Sequence, residues 1–382
     1  MKQLERRTWA EISLPDLEHN YRALRAMLAP GCRFLGVVKA NAYGHGAVRV
    51  AQKLEQLGAE YLAVACLGEA VELREAGIRA PILILGYTPA DCGGELLRYG
   101  LTQTIYDAGT ARAFSEAACR AGKRLRVHVK ADTGMSRLGW LCGGAALERA
   151  ADDIQAVCAL PGLEAEGIYT HFANADSDED YTMEQFTRFL DLLAELERRG
   201  VTFQIRHCAA SAAVLKYPCT HLDMVRPGIA LYGHYPDPSC EGLDGPGLIP
   251  VMTLKTRVAS VKDVPAGTPV SYGCTHVLER DTRLAALTAG YADGLPRVCS
   301  DRLEVWLQGR RIPVVGRICM DMCMADVTGL DVHPGDEAEI FGRHLPAEEA
   351  AALAGTIQYE LLCAVSPRVP REYLEQDGDK TL

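Results

Sequence analysis

Apolar positions through the first part of the chain fall into two alternating textures. Short β-branched runs occupy Phe34–Val38, Tyr61–Cys66, Ile82–Gly86, Thr102–Tyr106, Arg126–Lys130, Gly167–His171, Phe203–Cys208 and Met224–Tyr232. Between them, apolar residues recur at helical spacing. Ala47, Val50, Ala51, Leu54 and Leu57 would share one helix face, and Phe186, Phe189, Leu190, Leu193 and Leu196 another. Such alternation is the pattern of parallel strands joined by crossover helices. Eight β/α units in roughly 200 residues is the arithmetic of a (β/α)8 TIM-type barrel, so an α/β class is expected.

After Tyr235 the texture changes. Pro236, Pro238, Gly242, Gly245, Pro246, Gly247 and Pro250 crowd one segment, which reads as a linker. Alternating runs follow at Met252–Val258, Leu284–Leu287, Leu303–Leu307, Ile312–Val315 and Ala338–Phe341, separated by Gly, Pro and Asp turns. Only Ala347–Ala354 keeps helical spacing. A mostly β C-terminal domain is the expectation.

Length agrees with this division, since 382 residues exceed one ordinary domain and suit a large barrel plus a smaller partner. With 48% apolar and 24% charged residues the composition is that of a globular chain. A net charge of −10 argues against nucleic acid or an anionic membrane as partner. The stretch Met1 to Ala10 has no apolar core, and no apolar run approaches about 18 residues, so nothing signals secretion or membrane crossing. The fourteen cysteines include no C-x-x-C pair, and no metal site is expected. Cys66, Cys119, Cys158 and Cys363 fall within apolar strands and helices, where thiols act as small hydrophobes. They read as reduced thiols of a cytoplasmic protein.

The chemistry gathers where a barrel would place it, at the C-terminal ends of strands. Lys39 follows the first strand, in Val-Val-Lys-Ala-Asn-Ala-Tyr-Gly-His-Gly. A lysine at the mouth of a buried strand has its pKa lowered by desolvation and can form a Schiff base with a carbonyl cofactor. Lys130 ends the fifth strand ahead of Asp132-Thr133-Gly134-Met135-Ser136-Arg137. His171 ends the sixth, His207 and Ser211 lie at the seventh, and Arg226 lies at the eighth in Met-Val-Arg-Pro-Gly-Ile-Ala-Leu-Tyr-Gly. Packing does not explain several polar residues at the mouths of different strands.

The ten-residue string around Lys39 resembles the pyridoxal-phosphate attachment motif of the alanine racemases, and matching motifs run in family order from Arg7 to Tyr373. The resemblance implies a barrel followed by a β domain, with residues 1–10 a strand joining the β domain, 11–238 the barrel and 239–382 the β domain. It implies interconversion of L- and D-alanine, supplying D-alanine for peptidoglycan, by a homodimer with shared sites. Lys39 would carry pyridoxal 5'-phosphate as an internal aldimine and serve as one catalytic base. Tyr272, in Val-Ser-Tyr-Gly-Cys-Thr, would be the second base, supplied by the other subunit. Racemisation needs proton removal on one face of the α-carbon and delivery on the other, hence two bases.

For the cofactor phosphate the sequence offers the Tyr43 and Ser211 hydroxyls and the backbone N–H groups of Gly228 and Ile229, where glycine permits close approach. Tyr359 matches a further phosphate contact. Arg226 matches the arginine facing the ring nitrogen, which implies an unprotonated nitrogen and a weaker electron sink. By the same resemblance His171 packs on the ring, His207 bonds Arg226, and Arg137 with the Met320 N–H holds the substrate carboxylate. Lys130 matches a lysine carbamylated in many relatives; the other reading is an unmodified lysine in a charge network. Tyr291, Arg297, Arg317, Asp176 and Ile357 match residues of the substrate entryway.

Two positions depart from the common pattern. Ala210 stands where asparagine usually precedes the phosphate-binding serine, and Met322 where glutamine often follows. A barrel-type decarboxylase would pair the ring nitrogen with glutamate, not Arg226. A single-domain cofactor-managing barrel would lack the domain that carries Tyr272. A racemase acting on serine, or broadly on amino acids, remains the alternative activity.

Overall fold

The computed structural model describes residues 6–241 and 247–375, so Gly242, Gly245 and Pro246 of the expected linker lie outside the described residues. The chain divides into two compact units. Of the described residues, one comprises 18–42, 47–241 and 247–248, the other 6–17, 43–46 and 249–375.

The first unit is a barrel of eight parallel strands: Arg33–Val37, Tyr61–Val64, Ile82–Ile84, Thr102–Ile105, Leu125–Asp132, Leu163–Tyr169, Ile205–His207 and Met224–Val225. Several are buried at every position, as strands covered on both faces must be. The last strand pairs back onto the first through Met224↔Arg33 and Val225↔Phe34. The final seam, between the seventh and eighth strands, is thinner. It consists of the Asp223 N–H to Arg206 O bond at 3.1 Å, the Arg226 N–H to Ala209 O bond at 2.9 Å and one bridge between Ala210 and Arg226.

The eighth strand departs from expectation. It stops at Val225, and Ile229–Tyr232 forms a 3-10 turn. Pro227 has no N–H for a ladder, and the buried run Ile229–Tyr232 cannot be told from a strand by hydropathy. The helix Ala47–Leu57 buries Ala47, Val50, Ala51 and Leu54. The helix Glu179–Arg198 buries Thr182, Gln185, Phe189, Leu192, Glu195 and Leu196, while Leu190 is 41% exposed. Its inner face is therefore rotated from the apolar stripe, because Gln185 finds partners inside: it accepts from the Ala173 N–H and donates to Thr133 Oγ1.

The second unit is built on antiparallel strands. Thr282–Leu287, Cys323–Asp326, Arg310–Val315, Glu304–Leu307, Glu337–Phe341 and Met252–Val264 pair in that order, and Met252–Val264 pairs again with Thr282–Leu287, closing a ring. One long strand serves two neighbours because a bulge between Val258 and Ser260 turns it from one to the other. Thr8–Ser13 pairs antiparallel with this strand and parallel with Arg371–Leu374. Hydropathy missed the strand Cys323–Asp326 and the helix Gln358–Ala364. None of the fourteen cysteines forms a disulfide, but Cys66, Cys119 and Cys363 are exposed, contrary to the buried role expected of them.

Candidate active site

Beyond the first barrel strand the backbone does something uncommon. Ala40, Asn41, Ala42 and Tyr43 have φ of 51°, 53°, 54° and 52°, a left-handed turn directly after Lys39. Each side chain held there costs about 1–2 kcal/mol. Glu69 accepts the Ala40 N–H at 2.6 Å and the Ala65 N–H at 2.7 Å, and Asn41 Oδ1 accepts the Ala47 N–H at 2.8 Å. Such strain persists only where surroundings over-determine it, and it gathers at functional sites. Tyr43 and Gly44 belong to the second unit, where the Tyr43 ring lies 6.1 Å from that of Tyr359. Gly44 has φ 83°, and a Cβ there would fall 2.2 Å from Leu362 O. Tyr43 and Gly44 are thereby seated on the helix Gln358–Ala364 within that unit. Burial pushes the Tyr43 hydroxyl pKa up, which keeps it protonated.

Lys130 lies within the fifth barrel strand and is 6% exposed, its Nζ 4.6 Å from the Tyr169 ring centroid. Burial, then repulsion from Arg226 and Arg137, holds its pKa well below the usual amine range. Two residues on, Asp132 Oδ1 accepts the N–H groups of Gly134, Met135 and Ser136, each at 3.0 Å. That turn presents Arg137, which is exposed. His171 follows the sixth strand; desolvation, then Arg226, Lys130, Arg137 and Lys39, drives its pKa well down. Two lysines and two arginines thus all oppose protonation of one histidine in a chain of net charge −10. Clustered charge of one sign concentrates field on its opposite, here on anions.

Arg226 is 3% exposed at the closing seam. One guanidinium nitrogen donates to His207 Nδ1 at 2.9 Å; the other donates to Thr170 O at 2.9 Å and Cys208 O at 3.0 Å and lies 3.2 Å from His171 Nδ1. The His207–Arg226 pairing implied by resemblance is made. Ser211 Oγ accepts the Gly228 N–H at 2.9 Å and the Ala230 N–H at 3.2 Å, so Ser211, Gly228 and the turn opening at Ile229 meet at one point. Ala210, preceding Ser211, gives its helix no side-chain cap.

In the second unit Tyr272 opens a short 3-10 turn and is 70% exposed. Ser271 Oγ donates to Arg317 O at 2.6 Å, and a Cβ on Gly273 would fall 2.5 Å from the Arg317 guanidinium. Met320 accepts the Ala292 N–H at 3.0 Å beside Tyr291, and both side chains are exposed. Met322 and Ile357 are exposed as well, and Arg297 opens another 3-10 turn. Asp176 belongs to the barrel unit, so the expected entryway residues divide between the two units.

Sequence reading passed over four polar residues inside the barrel: Thr104, His128, Glu166 and Tyr169. The Tyr169 ring stacks on His207 with centroids 4.7 Å apart, and its hydroxyl lies 3.0 Å from Thr104 Oγ1. Their signal was polar residues in the middle of strands that a covered parallel sheet should fill with Val, Ile and Leu. Among the described residues no cluster of His, Cys, Asp or Glu could hold a metal ion.

Residues 12–236 match the family described as alanine racemase, N-terminal domain, and residues 251–373 match alanine racemase, C-terminal domain. The chain belongs to the alanine racemase family. The alanine racemase of Desulforamulus reducens is 49% identical over 371 residues, spanning 96% of this chain and 98% of that protein. That of Desulfovibrio desulfuricans is 48% identical over 379 residues, 98% of this chain and 100% of its own. The solved alanine racemase of Clostridium difficile 630 aligns with a TM-score of 0.94 at 38% identity, covering 98% of this chain and 97% of that one. Family membership makes this chain an enzyme of the racemase class, with the barrel-plus-β-domain fold.

Proposed function

We propose that the chain interconverts L- and D-alanine in the cytoplasm as a pyridoxal-phosphate-dependent homodimer, supplying D-alanine for peptidoglycan. The observation that carries this reading is the buried Arg226, fixed beside His207 and His171 at the seam of the barrel in a chain of the alanine racemase family. The relatives reported above carry the alanine racemase name, which favours alanine over serine. Among the described residues no helix is long and apolar enough to cross a membrane.

The residues present fit the cofactor chemically. Its phosphate needs hydrogen-bond donors, and the Tyr43 hydroxyl, kept protonated by burial, and the Ser211 hydroxyl, which keeps its own hydrogen while accepting the Gly228 N–H, would supply them beside the Ile229 N–H. Its ring nitrogen needs one buried partner, and Arg226 has already spent several N–H groups on fixed acceptors. When bound, pyridoxal phosphate supplies an electron-accepting ring that acidifies the α-carbon. Lys39 would hold it, with Tyr359 completing the phosphate contacts. Arg226 only donates, so it suits an unprotonated ring nitrogen and limits how far charge is drawn off, which favours returning the proton over other fates. Arg137 and the Met320 N–H would hold the substrate carboxylate, with Lys130 as a carbamate orienting Arg137. Tyr272 would take the α-proton of L-alanine and Lys39 that of D-alanine, on opposite faces. The 70% exposure of Tyr272 supports its serving a partner subunit's barrel.

The test uses Tyr272→Phe, which removes only the ionisable oxygen. General bases contribute about 10²–10⁴-fold, so racemisation should fall by at least that order. In D₂O the variant should still exchange the α-hydrogen of D-alanine, with retention, and leave L-alanine nearly untouched. Equal loss for both enantiomers would end the two-base reading.

A further inference from the structure

Behind Arg226 a line of hydrogen bonds runs down the barrel interior, and its direction is fixed by the chemistry of its ends. Arginine carries only donors, so His207 Nδ1, 2.9 Å from the guanidinium, must accept. His207 then bears its proton on Nε2, which lies 2.8 Å from His128 Nδ1. His128 in turn bears its proton on Nε2, 3.2 Å from Glu166 Oε2, and the Tyr61 hydroxyl donates to the same oxygen. Every donor points towards one carboxylate.

Two backbone features serve this arrangement. The pairing of Leu125–Asp132 with Leu163–Tyr169 skips a residue, Val127 facing Ala165 and His128 facing Gly167, so Glu166 is the extra residue of a bulge. Bulges re-aim side chains. The residue facing His128 is glycine, and a Cβ there would fall 2.7–2.9 Å from three atoms of the imidazole. The strand therefore gives up a side chain to admit the ring. The protonation states agree: burial, then Arg226, holds His207 neutral, and desolvation leaves His128 neutral despite Glu166. Glu166 is pushed up by burial, but bonds from His128 and Tyr61 hold it below the usual carboxylate range.

We propose that Glu166 is a positioning residue for Arg226, ending a one-way chain that locks His128 and His207 as Nε2–H tautomers and keeps His207 Nδ1 open to the guanidinium. Its bearing on catalysis rests on the racemase reading; the chain itself does not. Without the carboxylate, His207 has a second tautomer available that turns a donor onto a donor, and Arg226 loses its fixed place.

The experiment is NMR of the holoenzyme labelled with ¹⁵N-histidine, reading which imidazole nitrogen carries hydrogen. Native protein should show His128 and His207 protonated on Nε2. A His207 protonated on Nδ1 would overturn the proposal, even if every variant failed to fold. Glu166→Gln should give mixed tautomers at both histidines, while Tyr61→Phe, which removes only a neutral donor, should leave them unchanged. Because bonds to charged groups are roughly twice as strong as neutral ones, Glu166→Gln should lower kcat about fivefold with KM for alanine little changed. Unaltered tautomers in that variant would also overturn the proposal. An inactive protein with both Nε2–H tautomers would count against the racemase reading alone; an active racemase lacking them would count against the relay alone.

Discussion

The Lys130 amine sits out of water beside two guanidinium groups, and an ammonium there would repel both. Two escapes exist: loss of the proton, or conversion to an anion by addition of CO₂. The second requires the first, since only the free amine attacks. Adding ¹³CO₂ to the enzyme should therefore produce a carbamate resonance that disappears in Lys130→Arg, and its absence in active protein would leave Lys130 an unmodified amine. His171 and His207 make a related point about pH. Both are held below the ordinary value, so the unfolded chain binds protons that the folded one refuses. Stability is then full above about pH 6.5 and is lost as pH falls, each histidine steepening the decline by up to ~1.4 kcal/mol per unit. Urea midpoints measured from pH 7 down to 5 should fall, and His207→Gln should flatten the fall. A midpoint independent of pH over that range would mean that these histidines are not kept neutral.

At the scale of elements, the left-handed turn after Lys39 depends on conformation, not composition. Ala40 is exposed, so what a substitution there changes is chiefly backbone preference. Ala40→Gly should hold stability or raise it by up to about 1 kcal/mol, whereas branched Ala40→Val should lose about 2 kcal/mol or more in urea unfolding. Equal losses would mean that the turn is not strained. No periodicity announces such a turn, since Lys-Ala-Asn-Ala-Tyr has the composition of an ordinary helix. The barrel strands were legible because continuous β-branched runs belong to covered sheets, and the Lys39, Lys130 and Arg226 motifs were legible as local strings. Residues that act through distant partners were not. Glu166 matters through a skipped pairing, and Tyr169 through a ring brought against it by another strand. The helix Gln358–Ala364 was missed because seven residues without a side-chain cap leave too short a pattern.

For the whole molecule, the proposed dimer divides each site between two chains, which predicts complementation. Mixing Lys39→Ala with Tyr272→Phe protein should restore part of the activity, because one site of a mixed dimer holds both bases. No recovery under conditions where subunits exchange would argue for sites built within a single chain. The seam where the barrel closes has another consequence, for how the chain is made. The first strand cannot pair on both sides until Met224 and Val225 exist, about 190 residues after Arg33 and Phe34. During synthesis, then, seven strands wait with two raw edges, each a template for neighbouring chains on the same message. The two-residue strand and single bridge that finally cover them form a short, late clasp. Nascent chains halted just before Asp223 should be the ones that chaperones hold and that aggregate, and those released after Tyr232 should not.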